Sequence, residues 1–373
     1  MVGALVLKAA SELTAPAGNG DDETSVDDVF SDKATKWTLW MAAGYESNIF
    51  EVNAHREHPT GAWFQDSGLR VARPLQCGIG SLAATFIGGW KTYFEENQLD
   101  EYRFQPGLAW QVFDDDDTKL TLDIRGARFR EPIDSGLLQR ASLRSEPGWS
   151  GGAGWKWEKS LSEKETLTWV GGADYQMFDA RFPNNLQITT KAELARKVTD
   201  NLQWTVGTNW DYQSYRNRLP DSEAAINPRG LQTLEGRGFA GLECKLGSAW
   251  YAEAELSGGY NGDLTNGYYD ATVLAARVEL RWEPARWKFK IAAEPEWVRF
   301  RSRPANLDLA SQTLTTQQYA FEVRIDYAWS ERVALFCSDR NHLQRTNADE
   351  SRPDATLNRF ANQIVTFGVS ISF

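Results

Sequence analysis

Ionisable side chains recur at every second position through long stretches of this chain. Arg277, Glu279 and Arg281 stand two apart, as do Lys288 and Lys290, Glu294 and Glu296, and Glu322, Arg324 and Asp326. Glu46, Lys91, Arg103, Asp123, Arg125, Asp174, Lys191, Glu193, Asp211, Arg237, Glu243, Glu253 and Glu255 fall in similar alternating surroundings. Charges at that spacing share one face of a strand, where they need water or one another. Their chemistry is electrostatic. They could bias which solutes pass along a wet surface, or they could form an ion-pair lattice that only stiffens a wall. For a single residue the lattice is the simpler reading; for the whole set, a polar lumen is required.

Catalytic chemistry has little to build on. The chain has 3 His (His55, His58 and His342) and 3 Cys (Cys77, Cys244 and Cys337). His55-Arg56-Glu57-His58 could offer two metal ligands, but no further ligand cluster accompanies it, and it reads as a solvated loop. No positioned base, nucleophile elbow or Gly-rich phosphate loop stands out. We therefore expect no enzyme activity, no metal and no cofactor. The cysteines are too few for a disulfide framework and read as small packing residues. A net charge of −11 argues against nucleic acid, which needs a concentrated basic face.

Strands must present these rows, because each charged row has an apolar row out of phase with it. Leu274, Ala276, Val278, Leu280 and Trp282 oppose the row of Arg277. Tyr319, Phe321, Val323, Ile325, Tyr327 and Trp329 oppose that of Glu322. Trp37, Leu39, Met41, Ala43 and Tyr45 open the first strand, from about Lys36 to Ser47. Val365, Phe367, Val369, Ile371 and Phe373 close the last, alternating with Thr366, Gly368, Ser370 and Ser372. Each apolar run covers about 9–11 residues, the length a tilted strand needs to cross hydrocarbon.

Between these runs the connections alternate short and long. Asp114 to Asp117, Leu161 to Glu163, Thr199 to Asn201, Gly247-Ser248, Glu283-Pro284 and Ser330-Glu331 are tight, whereas 48–66 and 216–233 are long. Mean hydropathy is −0.50, so helical spans are excluded, yet there are 16 Trp, 12 Tyr and 18 Phe. That combination suits a closed sheet with a wet interior and aromatic girdles. A sandwich would not hold one phase through so many hairpins, and a propeller would repeat visibly. We expect an all-β, transmembrane, antiparallel up-and-down barrel of about 16 strands over residues 35–373, with short periplasmic turns and long external loops. Residues 1–17, ending in the small-x-small Ala15-Pro16-Ala17, read as the remnant of a signal peptide. Residues 18–34, with Asp21, Asp22, Glu23, Asp27 and Asp28, read as an acidic flexible tail.

Two short stretches carry a family likeness. Thr366, Gly368, Ile371 and Phe373 match, position by position, a pattern that resembles the C-terminal assembly signal of bacterial outer-membrane β-barrel proteins. Gly44-Tyr45-Glu46-Ser47-Asn48-Ile49-Phe50 is similar to a first-strand stretch of several such families, including barrels linked to lipoprotein display and polysaccharide secretion. The resemblance implies an outer-membrane location, with membrane lipids and the barrel-assembly machinery as partners and a homo-oligomer as one outcome. With the charged rows it gives a porin-like channel for small hydrophilic solutes. Its expected lining is Lys91, Arg103, Arg125, Arg277, Glu279, Arg281, Lys288, Lys290, Glu294, Glu322, Arg324 and Asp326. An export barrel for a polysaccharide or lipoprotein, or a plugged structural barrel, stays open as an alternative.

Overall fold

A computed structural model describes residues 30, 34–48, 60–75, 81–115, 117–134, 143–179, 184–215, 230–265, 267, 269–304, 312–347 and 360–373. The chain forms sixteen strands. They are β1 (Lys36–Glu46), β2 (Ala62–Leu75), β3 (Ser81–Tyr93), β4 (Glu101–Asp114), β5 (Thr118–Asp134), β6 (Leu143–Ser162), β7 (Glu165–Phe178) and β8 (Asn185–Thr199). β9 (Leu202–Tyr215), β10 (Leu231–Lys245), β11 (Trp250–Asp263), β12 (Ala271–Trp282), β13 (Trp287–Pro304), β14 (Thr313–Ala328), β15 (Val333–Thr346) and β16 (Phe360–Ser372) complete the set. Each strand pairs antiparallel with its sequence neighbours, and β1 pairs with β16, so the sheet closes. Closure leaves no edge, and every ladder group finds a partner without water, which is the condition for spanning a bilayer.

Alternation sets the faces. Along β1, Trp37, Leu39, Met41 and Tyr45 are exposed on the outside, while Trp40, Ala42 and Glu46 are buried inside. Aromatic contacts gather at the short-turn end: Trp250–Trp282 at 5.6 Å, Trp282–Phe289 at 5.1 Å and Trp287–Tyr327 at 4.6 Å between ring centres. A second set, with Tyr45–Trp63 at 5.3 Å and Trp297–Tyr319 at 6.4 Å, stands toward the long-loop end. These are two girdles bracketing an apolar band.

Several strands run longer than the apolar runs suggest, from 11 residues in β1 to 20 in β6. β2 begins at Ala62 rather than near Leu69, so the first long connection is shorter than 48–66. β10 begins at Leu231, inside the segment expected to be a loop. The extra length lies at the long-loop ends. There the ladder continues beyond the band of exposed apolar side chains, and alternation fades.

The seam between β1 and β16 accounts for both likeness-bearing stretches. Glu46 accepts hydrogen bonds from Tyr93 Oη at 2.8 Å, Lys91 Nζ at 3.1 Å and Asn362 Nδ2 at 2.8 Å. Asn48 donates its backbone N–H to Asn362 Oδ1 at 3.1 Å and its side-chain amide to the Ala361 carbonyl at 3.0 Å. Gly368 lies beneath the inward Phe336 ring. A Cβ there would stand 2.4 Å from that ring and 2.7 Å from the Met41 carbonyl oxygen, so only glycine lets β16 close against β1. Thr366 is buried on the same inner face, while Ile371 pairs with Leu39 and Phe373 is exposed outside. Backbone bonds in both directions between Trp37 and Phe373 finish the seam.

The expected signal-peptide remnant lies outside the described residues. Of the expected acidic tail, only Phe30 and Ala34 are described. Phe30 is buried against the inner-wall alanines Ala72, Ala83 and Ala109, so at that point the segment is packed and not solvated.

Candidate solute pathway

Register fixes which side chains face the lumen. Lys91, Arg103, Arg125, Arg277, Glu279, Arg281, Lys288, Lys290, Glu294, Glu322, Arg324 and Asp326 all fall on the inward parity of their strands. Lys288 stands opposite Asp326, Lys290 opposite Arg324, and Arg103 opposite inward Phe129. The structure gathers nine of them on the wall of β12–β14 and leaves Lys91, Arg103 and Arg125 apart on β3, β4 and β5.

On the wall of β11–β15, Glu279 is the centre, with only 1% of its side chain exposed. Arg277 lies at 2.9 Å, Arg281 at 3.2 Å and Lys290 at 3.7 Å from its carboxylate. Lys290 also reaches Glu322 at 3.5 Å, Glu322 meets Arg340 at 3.8 Å, and Arg277 meets Glu294 at 3.6 Å. Arg324 turns to Asp326 on its own strand, at 2.5 Å, with its guanidinium 4.7 Å from the centre of the Phe336 ring. Lys288 is the looser member, 3.8 Å from Glu283 and 24% exposed.

The facing wall is built differently. Arg125 on β5 makes a two-pronged pair with Asp174 on β7, at 3.0 and 2.5 Å, passing over β6. The pair can form because β6 offers Gly152 and Gly154 there; a Cβ on Gly152 would sit 2.0 Å from the Asp174 carboxylate. On β10, at the edge of the first wall, Arg237 pairs with Glu235 and spans to Glu296 on β13 at 2.8 Å. Gln187 donates to Asp211 at 2.6 Å. Asp66, Glu101, Glu131, Glu235 and Arg340 also sit on the inner face and were not singled out from sequence. Glu101, Glu131 and Glu235 lie near strand ends, where the alternation that would have flagged them is lost.

Side chains from outside the strands pack on the inner wall toward both ends. At the long-loop end, Leu99 of a 3-10 turn (Asn97–Leu99) packs on inward Phe64 and Tyr93. On the other side Tyr269, between β11 and β12, packs with inward Val273, Val298, Phe300 and Leu314. Phe30 occupies the inner wall of β2–β4 nearer the short turns. Outside the wall, Arg128 holds Asp179 at 3.0 and 2.6 Å, and these hydrogen bonds keep that carboxyl below its ordinary range.

His55 and His58 lie outside the described residues, and so does Cys77. His342 faces inward against Phe360, 5.0 Å between ring centres. Cys244 and Cys337 are unpaired on the outer face. Among the described residues no group of His, Cys, Asp or Glu is placed to hold a metal ion.

No protein-family model and no curated protein matches the chain in sequence. In fold it is similar to OccAB3 of Acinetobacter baumannii, with TM-score 0.55 and 8% identity over 91% of this chain and 99% of that one. OccAB1 of the same organism gives 0.52 and 9% over 91% and 97%. CdiB of Acinetobacter baumannii gives 0.50 and 9% over 91% of this chain and 60% of that chain. At such identities the likeness carries the fold alone. Joined to the closed sheet, the outward apolar rows and the two girdles, it fixes the architecture. The chain has the fold of bacterial outer-membrane β-barrels.

Proposed function

We propose that this outer-membrane barrel is a porin-like channel, conducting small hydrophilic solutes passively through a narrowed, charge-lined lumen. The observation that carries this reading is the inner wall itself. Rows of Arg, Lys, Glu and Asp line a closed sheet of sixteen strands, a size at which barrels leave an aqueous channel. Such side chains need water, and a lumen that holds water admits ions and small polar molecules. The fold likeness to OccAB3 and OccAB1 agrees with the reading without naming a solute.

The inward packing of Leu99, Tyr269 and Phe30 supports a narrow passage over a wide one. The Gly44–Asn48 stretch does not tilt the reading toward export, because its described side chains are accounted for by the seam. The test is liposome swelling with neutral sugars of graded size. Swelling is expected with the smallest sugars and should fall steeply with size. Absence of swelling with any of them, from correctly folded protein, would favour the plugged structural barrel.

A further inference from the structure

The outer face carries a polar cluster where hydrocarbon should lie. Asp339 on β15 accepts hydrogen bonds from Asn341 Nδ2 at 3.0 Å and from Gln363 Nε2 at 3.0 Å to each carboxylate oxygen. Parity puts all three outside, in the rows of Leu335, Cys337, Leu343, Val365 and Phe367. Register sets their height. Asp339 is flanked by Val323 and Val365, and Asn341 by Phe321 and Gln363. On β14, Val323 and Phe321 lie between Tyr327 and Tyr319, the girdle residues at the two edges of the apolar band. Outward Arg299, Arg345, Arg73 and Arg196 stand instead near strand ends. Asp339 is mid-strand.

Lipid tails offer this cluster nothing. A carboxylate facing hydrocarbon is costly, and polar groups at that depth normally face protein or water. The trio has a composition that can satisfy itself across a symmetry axis. The carboxylate only accepts, whereas each amide has two N–H donors and a carbonyl acceptor, so two identical clusters facing one another match donors to acceptors. Exposed Phe321, Leu335 and Phe367 surround it with an apolar rim. We propose that the outer face of β15 and β16 around Asp339, Asn341 and Gln363 is the contact between two copies of this chain in the membrane. The inference rests on the membrane placement and is independent of what the lumen conducts.

Cys337 lies on the same face, next in the outward row to Asp339, and provides the readout. In a Cys77→Ser/Cys244→Ser chain reconstituted into lipid vesicles, a short bismaleimide should join two chains through Cys337. Adding Asp339→Leu, Asn341→Leu and Gln363→Leu should lower that yield at least tenfold, with gel mobility before and after heating confirming a closed barrel. If the triple variant does not close, Gln363→Leu alone should still lower the yield. No cross-link in the starting chain would overturn the proposal, as would an undiminished one in a closed variant. A variant that resists heat better than its monomeric parent would mark a cluster that simply faces lipid.

Discussion

Replacing Glu279 by glutamine removes one negative charge from beneath three cations and changes almost nothing in size. The side chain is 1% exposed, with Arg277 at 2.9 Å, Arg281 at 3.2 Å and Lys290 at 3.7 Å. Taking one partner from a buried ion pair typically costs about 3–5 kcal/mol, because the remaining charge is stranded. Glutamine keeps one carbonyl acceptor for Arg277, so the loss should fall at the low end, about 3 kcal/mol. Lys290, 11% exposed, retains only Glu322 at 3.5 Å, which Arg340 already approaches at 3.8 Å. Adding Lys290→Met should therefore recover part of the loss, with a coupling of about 1–2 kcal/mol against the sum of the single changes. Urea unfolding in lipid vesicles, followed by tryptophan fluorescence, measures all three variants. A Glu279→Gln barrel within about 0.5 kcal/mol of its parent would refute the lattice, because that is the range of an ordinary surface change.

Other changes separate structure from selectivity. Gly368→Ala should cost about 1–3 kcal/mol, as overpacking does, since its Cβ would meet both the Phe336 ring and a backbone oxygen; Gly126→Ala, with only one neighbour at 3.7 Å, should be milder in the same assay. Asn362→Ala removes the bonds to Glu46 and Asn48 across the seam. It should cost about 2–3 kcal/mol and lower the temperature at which the barrel opens on a gel. Lys288→Glu, at a partly exposed inner site, should cost no more than about 1 kcal/mol for facing Asp326 across the strand pair, while moving the reversal potential in a salt gradient toward cations. An unmoved potential would place Lys288 in the structural lattice.

Most of the wall was legible in the sequence, since lipid on one side and water on the other impose a period of two. That contrast gave the strands, their number, and the meeting of the C-terminal run with Trp37 to Tyr45. It failed where the contrast ends. The upper parts of β2 and β10 continue beyond the bilayer, and their ladders leave no mark in the pattern. Phe336 interrupts the apolar alternation of β15, and it is the inward ring that requires glycine at 368. Pairs such as Arg125–Asp174 depend on a glycine in the strand between them, which is visible only once register is known. The inward packing of Phe30 had no periodic signal to announce it.

Passive conduction requires the charged lumen to be open to water from end to end. Single-channel recording of the purified barrel in a planar bilayer tests this directly. Discrete, ohmic openings are expected, with a modest conductance that reflects a narrow passage. Folded, inserted protein that passes no current would contradict passive conduction.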